Sequence, residues 1–276
     1  MVEARLVPRG PYSLRLTTLT DTWHAALPGD EWASARQLVD GTVLVRASSE
    51  EAVDLARFVL AVDDDTTEFH RRFAHDPLLG PSVRTLRGMR SRRTATVAHA
   101  LLRALCGQLI QSRRARDIER AVIRRSRALV PTRESLSALG AADLCACGLA
   151  PSRAATLARL VRGLDLERLR GLDGDGVYRR LAPERGIGPW SVGVIALAGL
   201  GRYDRGLVGD LGLVKLQASL TGTWPEQDET AALLEPYAEW QGLASVFLLS
   251  GFGRGLVPGA HPDRARLARA RAARAA

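Results

Sequence analysis

Hydrophobic and polar positions alternate in two short segments near the beginning of the chain. Residues 12–16 and 42–46 show the period of two that is typical of half-buried β-strands. Residues 49–60 have helical spacing instead, and Ser49 is placed to cap that helix. From Asp64 onward almost every segment has the helical period. The pattern predicts a mainly α protein, with a small N-terminal α+β domain over residues 1–62 and a helical unit over residues 63–276.

Two helical segments meet at a glycine-rich break. Residues 175–181 have a helical pattern, and Pro189 suits the first position of a second helix because its missing N–H would be unpaired there anyway. Gly186 and Gly188 carry no Cβ, so their backbone can adopt positive φ and approach another backbone closely. Amides at the start of the second helix would then suit a phosphate group. The simpler alternative is an ordinary helical hairpin whose glycines only cap.

Asp210 follows a second glycine-rich turn, after the apolar stretch of residues 191–200. Alone, it is typical of an N-cap for a helix over residues 211–220. A carboxylate at the mouth of a phosphate-binding hairpin is also what hydrolysis at a sugar carbon requires. The sequence therefore favours a nucleic-acid-binding hairpin coupled to one carboxylate.

These residues carry a family resemblance. The segment of residues 186–215 resembles the signature of the helix-hairpin-helix DNA glycosylase superfamily and, within it, the 3-methyladenine DNA glycosylase II family. Residues 106–110, the Pro131-Thr132 turn and residues 237–249 extend the resemblance in matching order. It implies the helix-hairpin-helix glycosylase fold, with a catalytic cleft between two helical subdomains and a basic tail after them. The expected bounds are 97–202 for one subdomain, 63–96 plus 203–260 for the other, and 261–276 for the basic tail. Within that tail, the arginine-rich residues 264–276 are expected to be solvated and frayed.

The resemblance assigns the chemistry to Asp210, which matches the essential aspartate of the family. Trp190 matches the position that holds a Schiff-base lysine in the bifunctional glycosylase/lyases, which implies a monofunctional enzyme. Composition supports this independently, because Lys215 is the only lysine in 276 residues. Lys215 itself is expected to face the surface or a phosphate.

The resemblance also implies a base pocket and a wedge. The pocket residues would be Trp190, Val194 and Leu249, where the last two replace aromatic residues that are often found there. Leu109 matches the side chain that fills the gap left by a flipped nucleotide, although a core leucine is the plain alternative. Gln108 beside it is expected to contact DNA or to be solvated.

The family sometimes binds a cation through main-chain carbonyls of the hairpin. The matching residues are Ala182, Glu184 and Ile187, although Glu184-Arg185 departs from the usual apolar-Pro pair. No cofactor is expected to be required, and a monovalent cation at the hairpin is the one candidate.

Charge and length fit a polyanionic partner. The chain has 39 basic and 30 acidic residues, a net charge of +9, although compositional bias toward arginine contributes to it. No segment resembles a signal peptide or a membrane span, so we expect a cytoplasmic monomer that binds double-stranded DNA.

The resulting hypothesis is a monofunctional DNA N-glycosylase that flips and excises damaged bases, alkylated purines such as 3-methyladenine above all, in base excision repair. The alternatives are a glycosylase for deaminated or oxidised bases and a noncatalytic damaged-DNA-binding protein.

Overall fold

The computed structural model describes residues 1–108 and 112–275. The strands in these residues are β1 (Val2–Leu6), β2 (Thr22–Ala26), β3 (Trp32–Gln37) and β4 (Val43–Ala47). The helices are α1 (Leu14–Thr18), α2 (Glu50–Val59), α3 (Thr67–Phe73), α4 (Gly80–Thr85), α5 (Val97–Gly107), α6 (Ser112–Arg125), α7 (Arg133–Ser137), α8 (Ala141–Ala146), α9 (Pro151–Gly163), α10 (Gly174–Leu181), α11 (Pro189–Val194), α12 (Leu211–Thr221), α13 (Thr230–Leu234), α14 (Gln241–Phe252) and α15 (Pro262–Ala275). Glu167–Gly171 and Glu235–Trp240 form 3₁₀-helices, and Ile195–Leu200 forms a π-helix that continues α11.

The N-terminal strands form one antiparallel sheet in the order β1-β4-β3-β2. Its inner face is covered by α2, and the buried residues Val43 and Val45 of β4 share a cluster with Val53 and Ala56 of that helix. Ser49 caps α2 by accepting a hydrogen bond from the backbone N–H of Ala52 at 3.1 Å. The predicted strand over residues 42–46 and the predicted serine cap are confirmed, as is the mainly α class with a small sheet.

The predicted strand over residues 12–16 is wrong. Ser13 accepts a hydrogen bond from the N–H of Leu16 at 3.2 Å and thereby begins the short helix α1. Leu14 and Thr17, three residues apart, are the buried side chains of that helix. Five residues of apolar alternation are too few to exclude a helical turn, and the serine cap decides between the two.

Buried arginines join the N-terminal part to the helices. The Arg90 guanidinium is 2% exposed and donates to the carbonyls of Val62 at 2.8 Å and Pro11 at 3.0 Å. It also lies over the Tyr12 ring, 4.8 Å from its centroid. Burial lowers the pKa of Arg90, and the carbonyl acceptors bind the two terminal nitrogens of its guanidinium.

Two hydrophobic clusters fill the helical part. One draws on α5 to α11, with Leu101, Leu157 and Leu181 among its buried members. The other draws on α3, α4 and α12 to α14, and includes Phe69 and Phe247. The π-helix that extends α11 lies between them, since Ile195 belongs to the first cluster and Leu197 to the second. The proposed domain bounds stay a prediction.

The C-terminal stretch is not a frayed tail. Residues 262–275 form α15, and its buried Ala265 and Ala268 pack against Ala218 of α12. Small residues at three-residue spacing allow the two helices to approach closely. Within the described residues, no helix is long and apolar enough to cross a membrane.

Candidate active site and nucleic-acid interface

The turn between α10 and α11 is fixed by one of its two glycines. Gly186 has φ of 89°, and a Cβ added there would lie 2.5 Å from Oγ1 of Thr156 on α9. Gly188 has φ of −101°, so the expectation of positive φ holds for Gly186 and is wrong for Gly188. A Cβ at Gly188 would meet no atom within 4 Å. Gly186 therefore shapes the turn, whereas Gly188 leaves open space in front of the amide end of α11.

Gln108 braces this turn from the end of α5. Its Nε2 donates to the carbonyl of Gly186 at 2.9 Å and to Oγ of Ser191 at 2.8 Å. Both N–H groups of the side-chain amide are thus used within the protein, and only Oε1 remains to accept from another group. Gln108 therefore holds the hairpin, and its predicted contact with DNA stays a prediction.

Charged residues surround Glu184 and Arg185, which come just before Gly186 in the turn. Glu184 pairs with Arg159 of α9 and, at 3.0 Å, with Arg180 of α10, and these hydrogen bonds lower the pKa of its carboxyl. Arg159 also donates to the carbonyl of Arg185 at 3.0 Å. The Glu184-Arg185 departure from the family pattern therefore has a structural use, because it ties the turn to two neighbouring helices.

Asp210 begins α12 and has a defined partner on each carboxylate oxygen. Oδ1 accepts the backbone N–H of Gly212 at 2.7 Å, which makes Asp210 the N-cap of α12 as predicted. Oδ2 accepts the indole N–H of Trp190 at 2.9 Å. The two donors, at the start of α12, fix the orientation of the carboxylate.

The Trp190 ring rests on a glycine. A Cβ added at Gly107, the last residue of α5, would lie 2.6 Å from Cη2 of Trp190, so a larger residue there would displace the ring. Sequence reasoning missed this role, because a glycine at the end of a helix is usually explained as a cap. The only available signal was its position beside the Gln108-Leu109 segment.

Leu249 and Val194 complete the aliphatic side of the site. Leu249 of α14 lies over the first turn of α12, since a Cβ added at Gly212 would collide with its side chain. Val194 follows Trp190 by one helical turn and is half-buried against both hydrophobic clusters. The structure thus brings Trp190, Asp210 and Leu249 together from three different helices.

Comparisons with known proteins agree with this arrangement. No protein-family model matches the chain. It is 24% identical over 217 residues to the DNA-3-methyladenine glycosylase of Bacillus subtilis (strain 168). This match covers 72% of this chain and 71% of that protein. The structure of a 3-methyladenine DNA-glycosylase from Archaeoglobus fulgidus matches it with a TM-score of 0.77 at 18% identity, over 91% of this chain and 98% of the other. The chain has the helix-hairpin-helix DNA glycosylase fold.

A second structural neighbour is named for a different base. The Clostridium acetobutylicum 8-oxoguanine glycosylase/lyase, in complex with dsDNA containing cytosine opposite to 8-oxoG, matches with a TM-score of 0.72 at 18% identity. The match covers 89% of this chain and 93% of that one. The resemblance to the superfamily and to its 3-methyladenine members is confirmed.

Three further predictions concern Leu109, Lys215 and the cation site expected at the hairpin. Leu109, the predicted wedge, lies outside the described residues. Lys215 follows Asp210 by five residues on α12, which puts it about 140° around the helix from the carboxylate. The carbonyl of Glu184, one of the three expected to bind a cation, accepts the N–H of Ile187 at 2.9 Å. A cation at Ala182, Glu184 and Ile187 would be bound by backbone atoms only, and this site stays a prediction.

Proposed function

We propose that the chain is a monofunctional DNA N-glycosylase that flips damaged bases out of duplex DNA and excises alkylated purines, 3-methyladenine among them, in base excision repair. One observation carries this proposal: the Asp210 carboxylate is held between the Trp190 indole and the Gly212 amide, beside the hairpin. The fold and the relatives named as 3-methyladenine glycosylases support it.

The oriented carboxylate suits cleavage of an N-glycosidic bond. As the base leaves, positive charge develops on the sugar, and the ionised Asp210 stabilises that charge and orients the attacking water. An N3- or N7-alkylated purine is already cationic, so it leaves as a neutral base without a proton from a general acid. A single well-placed carboxylate is therefore sufficient for this substrate class.

The residue in the lysine position explains the monofunctional assignment. The indole nitrogen of Trp190 has no free electron pair for Schiff-base formation, and its N–H is used by Asp210. Lys215 lies on another side of α12. We therefore assign no covalent intermediate, and water is the nucleophile.

DNA contact is assigned to the amide end of α11. The open space at Gly188 lets a phosphate approach the first amides of this helix, where the dipole is positive, and Pro189 fixes the start of the helix. Such contacts position the duplex without reading bases. A monovalent cation on the carbonyls of Ala182, Glu184 and Ile187 would add a bridge to the same strand, and Leu109 would fill the gap left by the flipped nucleotide. The working unit is a monomer on double-stranded DNA.

A specific observation favours a second candidate, a glycosylase for oxidised or deaminated bases. Val194 and Leu249 give the site an aliphatic lining, which offers a cationic base less cation–π attraction than an aromatic lining does. An 8-oxoguanine enzyme shares the fold. Alkylated purines remain the first candidate, because their lability compensates for weak recognition, whereas an oxidised base needs hydrogen-bonding groups to be distinguished.

The deciding experiment measures base release from oligonucleotide duplexes that carry 3-methyladenine, 7-methylguanine, 8-oxoguanine, uracil or hypoxanthine, at enzyme excess. We expect release of the alkylated purines and no release by Asp210→Asn, which should bind the same duplexes within about tenfold of wild type. Near-normal release by Asp210→Asn would remove Asp210 from the mechanism. Release of 8-oxoguanine alone would favour the second candidate, and tight binding without any release would favour a noncatalytic damage sensor.

Lyase activity is tested separately. Incubation of wild type with substrate duplex and borohydride should trap no covalent adduct, and strands should break only after alkali treatment. A trapped adduct that is lost in Lys215→Ala would contradict the monofunctional assignment.

A further inference from the structure

The C-terminal helix α15 has an orientation that its contacts define. Arg264 lies near Gly222, at the end of α12, since a Cβ added at Gly222 would be 3.2 Å from its guanidinium. Ala265 and Ala268, the next residues on the packed face of α15, form a buried cluster with Ala218, which lies four residues before Gly222 in α12. The two helices are therefore antiparallel, and the C-terminal half of α15 runs back along α12.

This register brings the end of α15 to the site. Arg274 follows Arg264 by ten residues, or about 15 Å at the helical rise, and α12 spans about the same distance between Gly222 and Leu211. Arg274 is consequently level with the first turn of α12, which Asp210 caps. The last turns of α15 lie at the same end of α12 as the proposed catalytic carboxylate.

The arginines of α15 fall on two flanks of the packed alanine stripe. Arg264, Arg271 and Arg274 lie within about 80° of one another, from one flank of the stripe towards the outer face of the helix, as helical geometry places them. On the other flank, Arg266 pairs with Asp263 at 3.2 Å and Arg269 lies over the Trp224 ring, 5.7 Å from its centroid. Among the described residues, the first flank forms no ion pair.

We propose that Arg264, Arg271 and Arg274 form a second DNA-backbone contact, which binds phosphates of the same duplex beside the flipped nucleotide. The inference rests on the proposed function and extends it from the hairpin to a second surface. A row of guanidinium groups next to the site has the charge and reach to bind successive phosphates without reading sequence. Ala265 and Ala268 pack the helix that carries this row against α12.

The test compares two double variants that each remove two charges from the same helix. Arg271→Gln/Arg274→Gln changes the proposed contact, and Arg266→Gln/Arg269→Gln is the matched control; glutamine keeps the helix propensity of arginine. Affinity for an undamaged and a damaged duplex is measured by fluorescence anisotropy from 50 to 200 mM salt. Two lost phosphate contacts should reduce the slope of log affinity against log salt by about 1.8. Wild type should then lose about 12-fold more affinity than the variant over this salt range, while the control keeps the wild-type slope.

The outcomes separate this inference from the proposed function. Equal slopes in wild type and in Arg271→Gln/Arg274→Gln, with normal base release, would overturn the second contact and leave the glycosylase assignment intact. An equal reduction in both double variants would also overturn it, because net charge alone would explain the result. Circular dichroism verifies that both variants keep the helix. A wild-type protein that binds no duplex would refute the proposed function and this inference together.

Discussion

The hydrogen bond from Trp190 to Asp210 can be removed by one substitution. Trp190→Phe keeps an aromatic ring at this position, deletes the indole N–H that Oδ2 of Asp210 accepts at 2.9 Å, and shortens the side chain that lies against Gly107. Oδ1 keeps its bond to the Gly212 amide, so the carboxylate stays at the start of α12 but gains freedom to rotate. The variant therefore tests whether orientation of the carboxylate, and not its presence alone, sets the rate.

The expected reduction in the rate of base release follows from the hydrogen bond that is lost. A hydrogen bond to a charged group contributes about 1.5–3 kcal/mol. A bond of equal strength in the ground state and the transition state would not change the rate. Here the carboxylate must face the sugar as positive charge develops, so the loss of orientation appears in the transition state. We expect base release to slow by about 10- to 150-fold.

The assay is single-turnover base release at saturating enzyme, with DNA affinity measured in parallel. Trp224→Phe, a half-buried tryptophan beside α15, is the matched control and should release bases at the wild-type rate. Affinity for undamaged duplex should stay within about threefold in both variants, because neither substitution changes a backbone amide of α11. Release by Trp190→Phe at the wild-type rate would refute the assignment of Trp190 as a positioning residue.

Three further outcomes follow from the geometry. Gly107→Ala places a methyl group 2.6 Å from the Trp190 ring and should slow single-turnover base release at least about tenfold. Gly163→Ala is the control: its added methyl group would meet no atom within 4 Å and should leave the rate unchanged. Gly188→Val should weaken anisotropy-measured binding to damaged and undamaged duplex by similar factors, without lowering the urea midpoint. Burial lowers the pKa of His70 from its ordinary 6.5 to about 4, so neutral His70 stabilises the folded state. This contribution is complete above pH 6.5 and should shrink by about 2–3 kcal/mol between pH 7.5 and 4.5. In urea titrations His70→Phe should therefore lose less stability than wild type over this range, and equal losses would contradict this.

Local signals made much of the fold predictable. The alternation in residues 42–46, the Ser49 cap, the proline that begins α11 and the aspartate that begins α12 each depend on neighbours within a few residues. Where two local signals compete, as in residues 12–16, the cap prevails over the alternation. In residues 262–275 no local signal decides. This segment has low hydrophobicity, and it is held as a helix by two alanines that pack on α12, which is distant in the sequence.

The site itself depends on contacts that sequence spacing does not reveal. Gln108 braces a residue 83 positions away, and Gly107 leaves room for a ring equally distant in the chain. The resemblance drew attention to Trp190 because this residue matches the position of a Schiff-base lysine, whose reaction an indole cannot perform. The structure adds a positive role, since the same side chain donates to Asp210. Under the proposed function, an indole in place of an amine would remove a competing nucleophile and supply a donor that orients the carboxylate, so Trp190 would favour water as the nucleophile in two ways.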